Sequence, residues 1–219
     1  MKKQFLVIGA GRFGKGIIKE LAKKKNNIIV VCDEDEKNLK EIEHCVELAI
    51  VGNAKEDDML DELKIDGYDV IFVSIGTDAF SAILITKKIK ERNAKKIVTK
   101  ATSKDVGEIL ANLGSDRVVY PEEEAGRKIA KQEMFDGVIE YLQITDEISA
   151  VEMVVPETFW GKTLIEIDFS NKTGLTVSLI LRNGKPFTDF FAKEKLEQGD
   201  LMIIVGEDKK INDFKNKFI

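Results

Sequence analysis

Cysteine is scarce in these 219 residues: Cys32 and Cys45 are the only two. Two cysteines make no disulfide framework, and their spacing is not that of a metal site, so the chain reads as a cytosolic protein with reduced thiols. Histidine is scarcer still. The lone His44 lies in a polar segment before the third apolar run, away from the edge where a ligand is expected, and no nucleophile–base pair or metal-ligand cluster is legible. No apolar run approaches the roughly 20 residues needed to cross a bilayer. The N-terminal stretch Met1-Lys2-Lys3-Gln4-Phe5-Leu6-Val7-Ile8-Gly9 is too briefly apolar for a signal peptide and reads as a first strand. A basic excess is also missing: residues 1–140 carry 24 basic and 26 acidic side chains, residues 141–219 carry 10 and 13. Binding to a nucleic-acid backbone is therefore not expected.

What the chain does contain, up to about Arg117, is alternation. Six short apolar runs (Phe5–Ile8, Ile28–Cys32, Val46–Ile50, Val70–Val73, Lys96–Thr99 and Arg117–Tyr120) are separated by helix-like segments such as Phe13–Lys24 and Phe80–Arg92. The runs are rich in β-branched residues, as strands buried on both faces should be. Six such units in series predict an α/β fold, a Rossmann-like doubly wound parallel sheet with right-handed crossovers.

Gly9-Ala10-Gly11-Arg12-Phe13-Gly14 follows the first run and opens the first helix, the context in which a GxGxxG string signals phosphate binding. The first glycine permits the turn, the second lets phosphates approach, and the third lets helix and strand pack closely. Asp33, 22 residues after Gly11 at the end of the second run, can accept ribose hydroxyls and disfavours a 2′-phosphate. The ligand should then be an adenosine nucleotide or NAD(H) rather than NADP. Gly52-Asn53-Ala54 and the Ser74–Asp78 stretch with Gly76 follow the third and fourth runs, on the ligand-binding edge of such sheets. Asn53 either reaches an adenine edge or caps the next helix. Arg12 inside the glycine loop favours a terminal phosphate with extra negative charge.

After Tyr120 the alternation stops. Pro121 and Glu122–Glu124 suit a helix N-terminus, the helix is expected through Ala125–Phe135, and Gly137 marks a break. Val138–Ile144 is apolar with no evident partner in the first sheet, and either links two domains or packs on another subunit. Residues 148–219 read as a smaller α+β domain: strands at Ile148–Val155, Leu175–Leu181 and Leu201–Val205, helices at Lys162–Phe169 and Lys209–Lys217, and an Asn183-Gly184 hairpin. The expected organisation is 1–137, a crossover or linker at 138–147, and 148–219.

The glycine loop at 9–14, Val-Val-Cys-Asp at 30–33, Gly-Asn-Ala at 52–54, Tyr-Pro-Glu-Glu at 120–123 and the small C-terminal unit together resemble cytosolic potassium-uptake regulators of the Ktr/Trk type. These have an N-terminal regulator-of-potassium-conductance (RCK) domain followed by an RCK C-terminal domain. The resemblance implies homodimers within an octameric ring, peripheral to the inner face of the cell membrane through a membrane-embedded potassium channel or transporter subunit. It implies ATP or ADP, in some members NAD(H), at Gly9, Gly11, Arg12, Phe13, Gly14, Asp33, Asn53, Ala54, Gly76, Lys100 and Glu122. Arg12 would face the γ-phosphate, and Glu122 would lie near the neighbouring subunit's phosphates through Mg²⁺ or another cation, making it the candidate metal ligand. Val138–Ile144 would cross between subunits. Many relatives bind cyclic di-AMP through an arginine after the small helix; Ser170 stands there, which disfavours that ligand. The expected function is a non-enzymatic regulatory subunit, gating ion flux through ATP-versus-ADP conformational change. The alternatives are a small NAD(H)-dependent oxidoreductase and an NAD(H) redox sensor.

Overall fold

In a computed structural model, which describes residues 2–76, 78–134, 138–187 and 191–218, the alternating segments form six strand–helix units. β1 (Gln4–Ile8) leads into α1 (Arg12–Ala22), β2 (Ile28–Asp33) into α2 (Glu36–Lys40), and β3 (Leu48–Val51) into α3 (Asp57–Leu63). β4 (Val70–Val73) leads into α4 (Ala79–Glu91), β5 (Ile97–Lys100) into α5 (Lys104–Asn112), and β6 (Arg117–Val119) into α6 (Pro121–Met134). All neighbours pair in parallel, in the order β3-β2-β1-β4-β5-β6. The order reverses between β1 and β4, and such a reversal opens a crevice at the carboxyl ends of the strands.

Period-two alternation assigns the two faces. Leu6, Ile8, Ile71, Val73 and Ile97 share one core with Leu60 of α3 and with Ile85 and Ile89 of α4. Val7, Ile29 and Val31 share the other with Ile18 of α1 and Leu39 of α2. Each fully buried aliphatic side chain contributes about 1.5–3 kcal/mol of transfer free energy. Helix starts are set by side chains: Asp35 accepts the Lys37 amide, Asp78 that of Phe80, and Ser103 that of Val106. The expectation that all six strands are buried on both faces fails at β3. It is one of the sheet's two edge strands, and its Leu48 and Val51 are 51% and 54% exposed.

The chain divides into two compact units, residues 1–123 and 124–219. In the second, β7 (Val138–Gln143) and β8 (Ile148–Val154) precede α7 (Leu164–Ile167) and α8 (Phe169–Thr173). Then come β9 (Thr176–Arg182), β10 (Lys185–Phe187), β11 (Leu201–Glu207) and α9 (Asp208–Phe218). The five strands form an antiparallel sheet in the order β10-β9-β11-β8-β7. Asn183 and Gly184 both have positive φ, 51° and 73°, as a two-residue type I′ hairpin turn requires.

The apolar stretch from Val138, which has no evident partner in the first sheet, finds one in the second: Tyr141, Leu142 and Gln143 pair with Val151, Ala150 and Ser149 of β8, and the Ser149 hydroxyl donates to Tyr141 Oη at 2.6 Å. One expectation is revised here. The single helix expected over Lys162–Phe169 is two short ones, because Asp168 takes a left-handed conformation (φ 56°) between them. A reciprocal Thr163–Glu166 capping box starts the first. The second core is mainly aliphatic but contains a ring cluster, with Phe159, Phe169 and Phe214 at centroid separations of 5.4–6.2 Å. The break expected at Gly137 lies outside the described residues, as does Thr77 of the Ser74–Asp78 stretch. Among the described residues no helix is long and apolar enough to cross a membrane.

Candidate functional site

The glycine loop is built by three different constraints. Gly9 has φ +94°, a conformation that side chains strain against, and its amide donates to the Cys32 carbonyl at 2.8 Å. Gly14 is buried in α1, and a Cβ there would sit 2.1 Å from the Gly9 carbonyl oxygen. At Gly11, by contrast, a Cβ would meet nothing within 4 Å. Gly11 is the N-cap of α1; no side chain caps that helix, and no acid occupies its first turn. Its leading amides therefore keep the positive potential that suits a phosphate.

Two side chains hold this loop. The buried Ser74 hydroxyl, at the end of β4, makes a short hydrogen bond to the Gly9 carbonyl and lies 3.2 Å from that of Ile8. Asp33 Oδ2 accepts the Ala10 amide at 2.5 Å, while Oδ1 accepts the Asp35 amide at 2.8 Å and the Asn38 amide group at 3.2 Å. Asp33 thus carries loop-supporting bonds that sequence spacing does not show. A cleft of about 300 Å³ opens over these groups. Its walls are Gly9 and Gly11, Asp33 and Glu34 after β2, Gly52, Ala54 and Lys55 after β3, and Ser74, Gly76 and the start of α4. Cys32 also lines it; burial, then the Asp33 and Glu34 charges, push its thiol up to about 11, so it stays protonated at neutral pH.

The remaining candidates gather beside the cleft or turn away from it. Lys100 is only 9% exposed. Its ammonium lies 2.5 Å from Glu122 Oε1 and 5.9 Å from the Phe13 ring centroid, and so close to Gly76 that a Cβ there would be 2.7 Å away. The Lys100 hydrogen bond, with the Glu122 backbone amide and the field of Arg12 adding to it, holds the Glu122 carboxyl below its usual range. Arg12 and Phe13 line a shallow depression on α1 with Gly16, Ile17 and Phe72 rather than the cleft itself. Asn53 is engaged locally: its Oδ1 accepts the Lys55 amide at 2.9 Å and its Nδ2 donates to Glu56 at 3.3 Å. Among the described residues no group of three or more His, Cys, Asp or Glu side chains could hold a metal ion. In the second unit, Ser170 lines a depression with Asp168, Phe169 and Thr176.

Sequence reasoning set Ser74 on the ligand edge but not its tie to the glycine loop, and it missed the places of Cys32 and Lys55 among the lining residues. Only strand register, which sets Ile8 beside Val73 and Cys32 beside both Ile8 and Ile50, brings them to one place.

The strand order, the glycine turn and the open helix N-terminus at the switch point define a Rossmann-type nucleotide-binding domain, with residues that fit a nucleotide's phosphates and ribose. Residues 5–121 match the TrkA-N domain family and residues 150–219 the TrkA-C domain family, and the chain belongs to the proteins built from these two domains. It is 30% identical over 219 residues to Ktr system potassium uptake protein C of Bacillus subtilis (strain 168), covering 100% of this chain and 99% of that one. It is 33% identical over 215 residues to Ktr system potassium uptake protein A of Vibrio alginolyticus, covering 98% and 97%. Among solved structures, the GsuK RCK domain superposes with a TM-score of 0.66 at 16% identity, and the GsuK channel bound to NAD with 0.65 at 18%. These cover 100% and 96% of this chain but only 48% and 38% of the GsuK chains, so the chain spans less than half their length.

Proposed function

We propose that this chain is a cytosolic regulatory subunit of a potassium channel or transporter, acting by nucleotide binding rather than catalysis. The observation that supports the reading is a glycine turn and an uncapped helix N-terminus at the sheet's switch point, suited to phosphates, in a chain similar over its whole length to Ktr potassium uptake proteins. The α1 amides would hold phosphates, Asp33 the ribose, and Gly52 and Ala54 the wall beside the nucleoside. Arg12, exposed at the loop, would reach a terminal phosphate, and the Lys100–Glu122 pair would sit where an added phosphate or a cation alters the local charge. Copies of the chain would assemble as homodimers in an octameric ring under the membrane-embedded partner. A ligand moves such a ring only by differential affinity for two conformations, so the regulatory signal is the difference between ATP and ADP. Cyclic di-AMP is not proposed as a ligand, given Ser170.

Arg12→Ala is expected to lower the ATP-to-ADP affinity ratio about tenfold, roughly 1.4 kcal/mol, and to weaken ADP little. Calorimetric titration checks this; equal losses for both nucleotides would remove the proposed sensing role of Arg12. A second reading, NAD(H) as the physiological ligand, is favoured by the Asp33 carboxylate at the end of β2 and by the NAD-bound channel of similar fold. It predicts tight NADH binding without turnover.

A further inference from the structure

One wall of the cleft depends on a side chain that does not line it. Ser81 and Ile85 of α4 face the cleft. Further along the same stripe, at helical spacing, Lys88 reaches over to the segment between β3 and α3 and to the start of α3, and Arg92 reaches α3 itself. Lys88 Nζ donates to the Lys55 carbonyl at 2.7 Å and to Asp57 Oδ2 at 2.8 Å. Arg92 donates to Asp61 Oδ1 at 2.8 Å and Asp57 Oδ1 at 2.9 Å. The Lys88 side chain is 19% exposed, whereas Asp57 and Asp61 are largely exposed. Exposed ion pairs add little stability. The bond to the Lys55 carbonyl is different in kind: it is charge-assisted, and it fixes backbone. That backbone supplies Gly52, Ala54 and Lys55 to the cleft, and the Lys55 ammonium lies 3.4 Å from Glu34, next in sequence to Asp33.

We propose that Lys88 is a positioning residue of the cleft: it clamps the segment after β3 to α4 and so sets the width between the walls that would receive the nucleoside end of a ligand. The proposal rests on the nucleotide-binding reading above. Because the glycine loop is held separately by Ser74 and Asp33, loosening the clamp affects the nucleoside end and spares the phosphate end.

The test is calorimetric titration of the full chain and its Lys88→Met, Lys88→Gln, Lys88→Arg and Asp61→Asn variants with ATP, ADP and inorganic tripolyphosphate. Lys88→Met is expected to weaken ATP and ADP by the same factor, about tenfold, as loss of one hydrogen bond from a charged group predicts, and to leave tripolyphosphate unchanged. Lys88→Gln, with a shorter neutral donor, gives an intermediate loss, and Lys88→Arg, which keeps a charged donor, restores binding beyond the Lys88→Gln value. Asp61→Asn breaks the same network away from the Lys55 carbonyl and leaves binding as in the parent. Unchanged ATP affinity in Lys88→Met and Lys88→Gln overturns the positioning role alone. A loss that extends equally to tripolyphosphate and is not restored by arginine also overturns it, since that is general loosening. A parent chain that binds neither ATP nor ADP overturns the ATP-versus-ADP reading, and this proposal with it.

Discussion

Gly14→Ala is expected to abolish detectable nucleotide binding and to lower the thermal midpoint of the first unit by roughly 10 °C. The added Cβ would lie 2.1 Å from the Gly9 carbonyl oxygen and 2.7 Å from Ser74 Oγ, and the first contact is with backbone that a rotamer change cannot move. Either α1 withdraws from β1 or the loop opens; both take the helix amides away from the phosphate position. Overpacking of this kind costs about 3 kcal/mol. Gly16, two residues on, is the control. It is exposed, a Cβ there meets nothing within 4 Å, and Gly16→Ala should stabilise the helix by about 1 kcal/mol. Thermal unfolding followed by calorimetry reads both. A Gly14→Ala chain that binds and melts like the parent would mean the loop is not packed as described.

The second large effect belongs to the C-terminal unit. Asp200 is 1% exposed, and its carboxylate accepts Arg182 Nε and Nη2, both at 2.7 Å, and the Glu197 amide at 2.8 Å. Burial alone would raise this carboxyl; the Arg182 hydrogen bonds and the Glu197 amide outweigh it and hold it below its ordinary range. Arg182→Met strands a buried charge and should cost about 3–5 kcal/mol at pH 7. The pH dependence has a definite sign. In the parent the folded carboxyl titrates below the unfolded value of about 3.9, so its contribution is complete above that pH and is lost as pH falls through the lower folded value. In Arg182→Met, burial without the arginine lifts the folded value above the unfolded one, so the penalty is present at neutral pH and is relieved by protonation. The stability gap should therefore narrow steadily as pH is lowered from 7 towards 4. Chemical denaturation at a series of pH values measures it, and a gap independent of pH would show that Asp200 is not the cause. The double variant Arg182→Met, Asp200→Leu should recover most of the loss.

Much of the first unit was legible because its signals are local. The Val70–Val73 run is β4, and the glycine string has the strand before it and the helix after it that its chemistry needs; in the second unit the equally local Asn183-Gly184 signal forms its hairpin. What stayed hidden depends on distant partners. Val138–Gln143 is apolar at a period that names no neighbour until β8 lies beside it. Asp168 divides a helix through its own left-handed backbone, and sequence period does not register a single such residue. β3 was misjudged because its composition suits a buried strand while its place in the sheet is an edge. In the site, Asp33 was found from its distance to the glycines, yet its bond to the Ala10 amide spans 23 residues. The Ser74 tie to Gly9 spans 65 and the Lys88 tie to Lys55 spans 33; neither has a spacing rule that would reveal it.

The central claim is that this cleft distinguishes adenine nucleotides and that the distinction is its output. Calorimetric titration of the purified chain with ATP, ADP, NADH and cyclic di-AMP, with and without Mg²⁺, tests it most directly. The account predicts micromolar or tighter binding of ATP and ADP with different heats, and weak NADH. Tight NADH with negligible ATP binding would contradict it.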